Sequence, residues 1–324
     1  MNLYLAFANS TSLLRFTTML RDFKLPLCQR EDKVIEFKDI TNPLTSMGGL
    51  LHKTEDVYAS IEYSVKNNYT ISFANLVLTP FHNKGIKLPP QSPHLFYDLH
   101  NIIIKVENFC NGSNTVHKCR LSVALSNQGR SATKEFKFTD RRMVKYSLKP
   151  KCIKVEVPMK SSLYVVTKAK ALVEQLFNSE KFVLVHWRQR DKKQWKCGNT
   201  FFANLTTPNA VLEKLRKLKI EKDENIYLMT DESNFTKINF LMSVYRKMKY
   251  IENVSMFKSK EFEQNNYLIF AVENELKNLA YKVIAYDTRK INGKNVVGTI
   301  LPENMKCHEP PIRKTNKYKP FYGA

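Results

Sequence analysis

Short apolar runs alternate with amphipathic stretches along the second half of the chain. The apolar runs predict strands at FVLVHW (182–187), NIYLMTDE (225–232), NVSMF (253–257) and KVIAYD (282–287). Helices are predicted between them, at 208–218, 234–248 and 268–280. Strands that alternate with helices in this way are typical of a parallel, doubly wound sheet, so we predict an α/β fold.

The first half of the chain has a less regular pattern. The polar and proline-rich segment KLPPQSP predicts a loop at 87–93. A helix is predicted at 57–66, and apolar runs predict strands at 73–81, 101–109 and 152–158.

A further helix is predicted in the middle of the chain, from Ser161 and Ser162, which can cap it, to about Phe177. The apolar positions that we assign to one face of this helix are Leu163, Val166, Ala169, Val173 and Leu176. A chain of 324 residues is too long for one small core, so we expect two domains, 1–160 and 161–324.

Polar side chains follow two of the predicted strands. They are His186, Arg188 and Asp191 after the first, and Thr230, Asp231 and Glu232 after the second. In doubly wound sheets, ligands bind beyond the carboxyl ends of the strands. We therefore expect a binding crevice at these two strand ends.

Arg188 is the strongest candidate for a chemical role. Its planar guanidinium fits a phosphate group with two hydrogen bonds and stays charged. If a diphosphate were the leaving group, a fixed arginine would neutralise the charge that develops as the bond breaks. The structural alternative is an ion pair of Arg188 or Arg190 with Asp191 that closes a loop.

The other polar residues have structural alternatives too. His186 could bind a ligand, but a histidine at the end of an apolar strand is more often part of the core. Trp187 is expected to pack between the sheet and a helix. Residues 230–232 could contact a nucleotide or cap the next helix, because acidic side chains favour helix N-termini.

The charge of the chain favours anionic ligands. The formal net charge is +22, which suits nucleic acid, a nucleotide sugar or a membrane surface. The nine glycines form neither GxGxxG nor a Walker motif, so side chains or helix N-termini would have to hold a nucleotide. No hydrolase signature and no cluster with metal-ligand spacing is present, so neither a metal nor a cofactor is predicted.

Cysteines and glycosylation sequons favour the secretory lumen. The six cysteines contain no CxxC and permit three disulfides. N-x-[ST] sequons occur at Asn9, Asn68, Asn111, Asn204, Asn234 and Asn253. The N-terminal segment lacks the pattern of a signal peptide and no segment reaches membrane length, so a lumenal protein would need a leader that we do not recognise.

HWRQRD (186–191) resembles the H-x-R-x-x-D motif of the GDP-fucose-dependent fucosyltransferase superfamily. The match is closer to the protein O-fucosyltransferases that modify thrombospondin-type repeats. Further segments similar to that family follow in the expected order: GGLLHKTEDVY (48–58), LVLTPF (76–81), SPHLFYDLHNI (92–102), IYLMTDE (226–232) and KCHEPP (306–311). The resemblance extends over roughly residues 45 to 312.

The resemblance implies two facing Rossmann-like domains of the GT-B type, with the donor between them. It implies inverting transfer of fucose from GDP-fucose to a Ser or Thr hydroxyl of a protein such as a thrombospondin-type repeat or another small Cys-rich module, in the endoplasmic reticulum. Arg188 would hold the donor's phosphates and stabilise the departing GDP. The other donor contacts implied are His186, Asp191, Asp231, Glu273 and Thr288.

The sequence departs from the family pattern at two places. The family has an acidic general base and an Asn in its first glycine segment, where this chain has Met47-Gly48-Gly49-Leu50-Leu51. His52, Glu55 or Asp56 would have to replace the base. The family's Ser-Thr-Phe turn corresponds to residues 287–291, where Thr288 is a partial replacement and Arg289 or Lys290 could bind phosphate.

These departures leave two alternatives to an active transferase. One is a catalytically inactive relative that binds GDP or a protein partner. The other is a basic nucleic-acid-binding protein, which the net charge suggests, although the basic residues are dispersed and form no nucleic-acid-binding motif.

Overall fold

The structure is a computed structural model, and its chain divides into two compact units. The first unit is Met1–Ala169 with Lys258–Glu275, and the second is Lys170–Phe257 with Leu276–Ala324. The residues that the structure describes are 25–38, 50–73, 75–76, 78, 83, 85–100, 102–112, 114–124, 134–137, 152–188, 206–285 and 296–299. The predicted boundary after residue 160 lies within the first unit, which also takes residues 258–275 from the second half of the chain.

Five parallel strands form the sheet of the second unit. They are β7 (Val183–Trp187), β8 (Ile226–Thr230), β9 (Met248–Tyr250), β10 (Lys282–Ala285) and β11 (Val296–Thr299). Their order in the sheet is β11-β10-β7-β8-β9. The chain thus adds strands first on one side of β7 and then on the other, as in a doubly wound sheet. The predicted α/β fold is confirmed.

The side chains of the central strand β7 point alternately to the two faces of the sheet, as those of any strand do. Val183, Val185 and Trp187 are fully buried in a cluster with residues of two helices. These helices are α3 (Pro208–Lys217) and α4 (Phe235–Val244). Leu184 and His186 point to the opposite face. The expected packing of Trp187 between sheet and helix is confirmed.

Local signals determine where these two helices begin. Thr207 caps α3 by accepting a hydrogen bond from the N–H of Ala210 (3.2 Å), and Pro208 occupies the first turn, where its missing N–H costs nothing. Asn234 caps α4 by accepting from the N–H of Thr236 (3.0 Å). The predicted start of α3 is therefore confirmed, and α4 ends four residues earlier than predicted because residues 248–250 form β9.

The first unit contains two small sheets. A parallel sheet of order β2-β1-β5 consists of β1 (Arg30–Lys38), β2 (Tyr69–Phe73) and β5 (Lys134–Lys137). Helix α1 (Leu50–Lys66) connects β1 to β2. An antiparallel sheet of order β4-β3-β6 consists of β3 (Ile103–Asn108), β4 (Thr115–Arg120) and β6 (Ile153–Glu156).

Two disulfides tie the ends of these strands together. Cys28, just before β1, is bonded to Cys119 in β4, and the two lie 91 residues apart in sequence. Cys110, just after β3, is bonded to Cys152, just before β6, across 42 residues. Cross-links that close such long loops reduce the conformational freedom of the unfolded chain. The other two cysteines, Cys197 and Cys307, lie outside the described residues.

The remaining helices are α2 (Leu163–Phe177), α5 (Lys260–Glu263) and α6 (Asn266–Leu279). Ser162 caps α2 by accepting from the N–H of Val165 (3.2 Å), so the predicted start is confirmed. The predicted apolar face was right in part. Ala169 is buried as predicted, but Leu163 is 80% exposed, and the buried stripe is Val165, Ala169 and Leu172, at the i, i+4 and i+7 positions.

Buried polar groups connect α6 to the rest of the first unit. Asn83, only 2% exposed, accepts a hydrogen bond from the N–H of Asn266 (2.8 Å) and donates to the carbonyl of Gln264 (2.8 Å). The Ser161 hydroxyl donates to the buried carboxylate of Glu275 (2.5 Å). These contacts link α6 to residues that precede it by more than a hundred positions.

Two predicted strands do not occur as predicted. Of the strand predicted at 73–81, Phe73 is the last residue of β2 and Leu76 forms an isolated bridge with Gln91, while residues 74, 77 and 79–81 lie outside the described residues. The strand placed at 253–257 is wrong, because residues 255–258 form a one-turn 3-10 helix. Its buried Val254 and Phe257 are three residues apart and therefore meet on one side of such a turn.

Candidate functional site

At the carboxyl edge of the five-stranded sheet, the chain leaves two neighbouring parallel strands, β7 and β10, toward opposite sides of the sheet. From β7 the chain continues to β8 on one side, whereas β10, on the other side of β7, continues to β11. This is the topological switch point of a doubly wound sheet, where ligands bind in the crevice beyond the strand ends. His186 and Arg188 lie at the end of β7, beside this point.

Trp187 fixes the end of β7. Its side chain is fully buried, and its indole N–H donates to the carbonyl oxygen of Thr206 (2.8 Å). Since adjacent side chains of a strand point to opposite faces, a fixed Trp187 holds His186 on the other face. Arg188 is the first residue beyond the strand and is partly exposed. The burial of Trp187 thus determines the positions of two polar residues.

His186 is uncharged at neutral pH. Burial lowers the pKa of the His186 imidazole well below its ordinary value, and the positive charges of Lys277 and Arg188 lower it further. The imidazole therefore acts as a hydrogen-bonding group and not as a cation. Lys277 and Arg188 thus bring two positive charges near His186, beside the switch point. Cationic groups at such a position suit a diphosphate, which carries its charge on several oxygens.

Sequence reasoning missed Lys277. It lies in the last turn of α6, the helix that precedes β10. The only signal was its place in the predicted helix 268–280, just before the strand that borders β7. Helices of a doubly wound sheet cover both of its faces, but the sequence does not indicate which residues of this helix face His186.

The end of β8 is followed by polar residues that stabilise the turn leading into α4. The Glu232 carboxylate accepts hydrogen bonds from the N–H groups of Ser233 (3.0 Å) and Asn234 (2.9 Å), and forms an ion pair with Lys237 (2.9 Å). Burial raises the pKa of Glu232, but Lys237 and these two N–H groups outweigh burial and hold that pKa below its usual value. The Thr230 hydroxyl accepts from the N–H of Glu232 (3.1 Å). Neither residue caps α4, because Asn234 does so, and the capping interpretation is therefore wrong for Thr230 and Glu232. Both side chains instead stabilise the turn between β8 and α4.

Asp231 is placed next to Arg188 in register. Strands β7 and β8 are parallel, and Trp187 is paired with Thr230. Arg188 and Asp231 are therefore equivalent residues, each one position beyond its strand, at the same edge of the sheet. Asp231 is partly exposed there. The structure thus brings together three of the predicted site residues, His186, Arg188 and Asp231.

Other predicted site residues belong to the first unit or lie outside the described residues. Glu273 is in α6 within the first unit and is buried, at 8% exposure. His52, Glu55 and Asp56 fall in helix α1, in the same unit, and their side chains are outside the described residues. Asp191 and the segment 287–291, with Thr288, also lie outside them.

The start of helix α1 is held by hydroxyl groups. The Thr54 hydroxyl lies 2.6 Å from the Tyr97 hydroxyl and donates to the carbonyl of Leu50 (3.0 Å). Tyr58, one turn later, donates to the carbonyl of Val155 (2.8 Å). These contacts fix the helix that directly follows the glycine pair at 48 and 49.

Across the described ranges, no group of three or more His, Cys, Asp or Glu side chains is placed to hold a metal ion. Within the same part of the chain, no helix combines the length and apolar character that crossing a membrane requires.

Neither a protein-family profile nor a curated protein matches this chain. Among solved structures it is similar to fucosyltransferase NodZ from Bradyrhizobium, with 11% identity, coverage of 81% of this chain and 90% of that chain, and a TM-score of 0.41. It is similar to POFUT1 in complex with GDP, with 9% identity, 79% and 92% coverage, and a TM-score of 0.44. It is also similar to POFUT1 in complex with GDP-fucose, with 10% identity, 84% and 99% coverage, and a TM-score of 0.43. At these identities and TM-scores, the similarity does not assign a function to this chain.

Proposed function

We propose that this protein is a GDP-fucose-dependent protein O-fucosyltransferase. It would transfer fucose, with inversion, from GDP-fucose to a Ser or Thr hydroxyl of a protein acceptor. The observation that carries the proposal is the pairing of the HWRQRD motif with the switch point of a doubly wound sheet. His186 and Arg188 lie at that point, and the charge of Lys277 acts on the same position.

Arg188 would bind the diphosphate of the donor. Cleavage of the bond between fucose and GDP leaves additional negative charge on the phosphate oxygens. A guanidinium already in place stabilises that charge without reorganisation, which is often the largest contribution to catalysis. Lys277 would add a second positive charge near the same group. No metal or other cofactor is needed for this chemistry, since the two cations supply the charge.

His186 would contact the donor as a neutral imidazole. Because its pKa is held well below the ordinary value, the site keeps the same His186 charge throughout the neutral range. Asp231 and Asp191 would lie beside the donor, and Glu273 and Thr288 are proposed as further donor contacts. We propose His52 or Asp56 as the group that takes the proton of the acceptor hydroxyl.

The acceptor would be a small Cys-rich module such as a thrombospondin-type repeat, modified in the lumen of the endoplasmic reticulum. The two disulfides of the first unit support an oxidising compartment, because disulfides persist there and are rare in the cytosol.

A transfer assay tests the proposal. The purified protein is incubated with radiolabelled GDP-fucose and folded thrombospondin-type repeats, and label on the acceptor and free GDP are measured. We expect label on a Ser or Thr of the repeat, lost in Arg188→Ala and reduced in Arg188→Lys, because a lysine lacks the planar fork. Arg216→Ala is the matched control, since Arg216 is exposed at the end of α3 that leads into the opposite edge of the sheet.

A second candidate is an inactive relative that binds GDP. It is favoured by the segment 47–51, which lacks the acidic base of the family. Donor binding with neither transfer to any acceptor nor slow hydrolysis of GDP-fucose would support this second candidate. An intact wild type that binds neither GDP nor GDP-fucose would overturn both.

A further inference from the structure

Four sequon asparagines lie in the described part of the chain, and their surroundings differ. Asn68, Asn111, Asn234 and Asn253 are all exposed. Asn68 and Asn111 have positive φ angles of 59° and 55° and lie in tight turns. In the sequon of Asn253 the middle residue, Val254, is fully buried. Around Asn234 all three sequon residues are exposed, whereas Thr70 in the sequon of Asn68 is buried.

A hydrogen bond of the Asn234 side chain uses its oxygen, Oδ1, and not its nitrogen, Nδ2. Its Oδ1 atom accepts the N–H of Thr236 (3.0 Å) and caps α4. N-glycosylation takes place on Nδ2. A glycan on Nδ2 leaves Oδ1 in place, so the cap of the helix survives the modification.

A large aromatic side chain lies next to Asn234 and is mostly exposed. Phe235 directly follows Asn234 in sequence and is 56% exposed, whereas Ile238 and Leu241 of the same helix face the buried cluster. The apolar C–H face of a pyranose ring packs well on an aromatic ring, whose face is negative.

We propose that Asn234 carries an N-linked glycan and that its first sugar packs on Phe235. In the reaction, Nδ2 of Asn234 forms a bond to the anomeric carbon of an oligosaccharide on a polyprenyl diphosphate. The bond between that carbon and the diphosphate oxygen breaks, the diphosphate leaves with the electron pair, and Nδ2 loses one proton. The proposal rests on the lumenal location proposed above, but not on fucosyl transfer.

Site occupancy is the first test. The full chain is secreted from eukaryotic cells behind an added signal sequence, and a peptide map confirms the Cys28–Cys119 disulfide. Glycans are removed enzymatically in heavy-oxygen water, which marks each formerly glycosylated Asn, and the peptides are sequenced by mass spectrometry. We expect the mark at Asn234, retained in Thr236→Ser and lost in Thr236→Ala, where the cap remains. An unmarked Asn234 in the secreted, disulfide-bonded protein would overturn the proposal.

The packing of the first sugar is tested separately. Two samples of the glycoprotein are prepared. In one, an endoglycosidase trims the glycan to a single sugar, and in the other, an amidase removes the intact glycan and converts Asn234 to Asp, which still caps the helix. We expect the wild type to have a lower midpoint of thermal unfolding without the sugar than with it. In Phe235→Ser, which keeps the sequon, this difference should vanish. An equal difference in both proteins would overturn the contact between the sugar and Phe235.

Neither result depends on the donor site. A marked Asn234 in a protein that does not bind GDP-fucose would contradict the proposed transferase and leave the glycan and the lumenal location in place. An unmarked Asn234 in an active transferase would contradict the glycan alone.

Discussion

The two units of the chain are stabilised in different ways. The described part of the first unit contains both disulfides and several buried polar contacts, such as those of Asn83 and Glu275. The described part of the second unit depends on a parallel sheet whose central strands are almost entirely buried. The difference suggests that the second unit obtains its rigidity from packing. Packing is then also what positions His186 and Arg188.

The largest effect is expected from Trp187, on which the packing of the second unit depends. Trp187→Ala removes a fully buried indole and its hydrogen bond to Thr206, and should lower the free energy of unfolding by about 3–5 kcal/mol. Denaturant unfolding monitored by circular dichroism measures this change. Leu163→Ala is the control, because that leucine is 80% exposed and its loss should cost almost nothing. Equal effects of the two substitutions would contradict the account of packing.

The disulfides are expected to have an effect of similar size, confined to the first unit. Replacing Cys110 and Cys152 by Ser should reduce its free energy of unfolding by about 4 kcal/mol according to loop entropy. The longer loop of Cys28 and Cys119 should make that pair slightly more important. Hydrogen exchange of β3 and β7, measured in the same protein, separates the units. Faster exchange in β7 than in β3 after removal of a disulfide would show that the units are not distinct in this respect.

A smaller effect is expected from His186, on the pH dependence of the free energy of unfolding of the second unit. The unfolded chain protonates His186 near its ordinary pKa, while the folded chain binds that proton only at much lower pH. Between those two values the unfolded state binds more protons, so this group makes the protein less stable as the pH falls below about 6.5. Lys277→Gln removes one of the charges that lower the pKa, so the loss of stability should become smaller.

NMR titration of the His186 imidazole measures this pKa directly. It should rise in Lys277→Gln and remain below the ordinary value, because burial is the largest cause of the shift. Lys282→Gln is a charge-matched control at the amino end of β10, away from the carboxyl edge. If both variants shift the pKa equally, net charge and not the proximity of Lys277 accounts for the change.

The contrast between the units also explains how much of the fold could be predicted from the sequence. β7, β8 and β10 were predicted because strands of a central parallel sheet are buried on both faces and appear as apolar runs. β1 was missed because its sequence, REDKVIEFK, is dominated by charged residues. The strand predicted at 253–257 was wrong because two apolar residues three apart fit a short 3-10 turn as well as a strand.

The candidate site was predictable where it follows from strand ends, and not where it depends on tertiary packing. His186, Arg188 and Asp231 were identified because each stands at the end of a strand of one sheet. The contacts of Glu232 with Lys237 and with the N–H of Asn234 could not be predicted, because they depend on how the chain turns between β8 and α4. Lys277 could not be predicted, because its position relative to His186 depends on tertiary packing within the second unit, which the helix pattern alone does not give.

Calorimetric titration with GDP tests the central claim most directly, which is that the end of β7 holds the nucleotide diphosphate. Wild type, Arg188→Ala and the control Arg216→Ala are compared. Removal of a charge-assisted contact should cost about 1.5–3 kcal/mol, or roughly 10- to 100-fold in Kd, for Arg188→Ala alone. Wild-type affinity in Arg188→Ala would contradict the claim, and so would the absence of GDP binding by a folded wild-type protein.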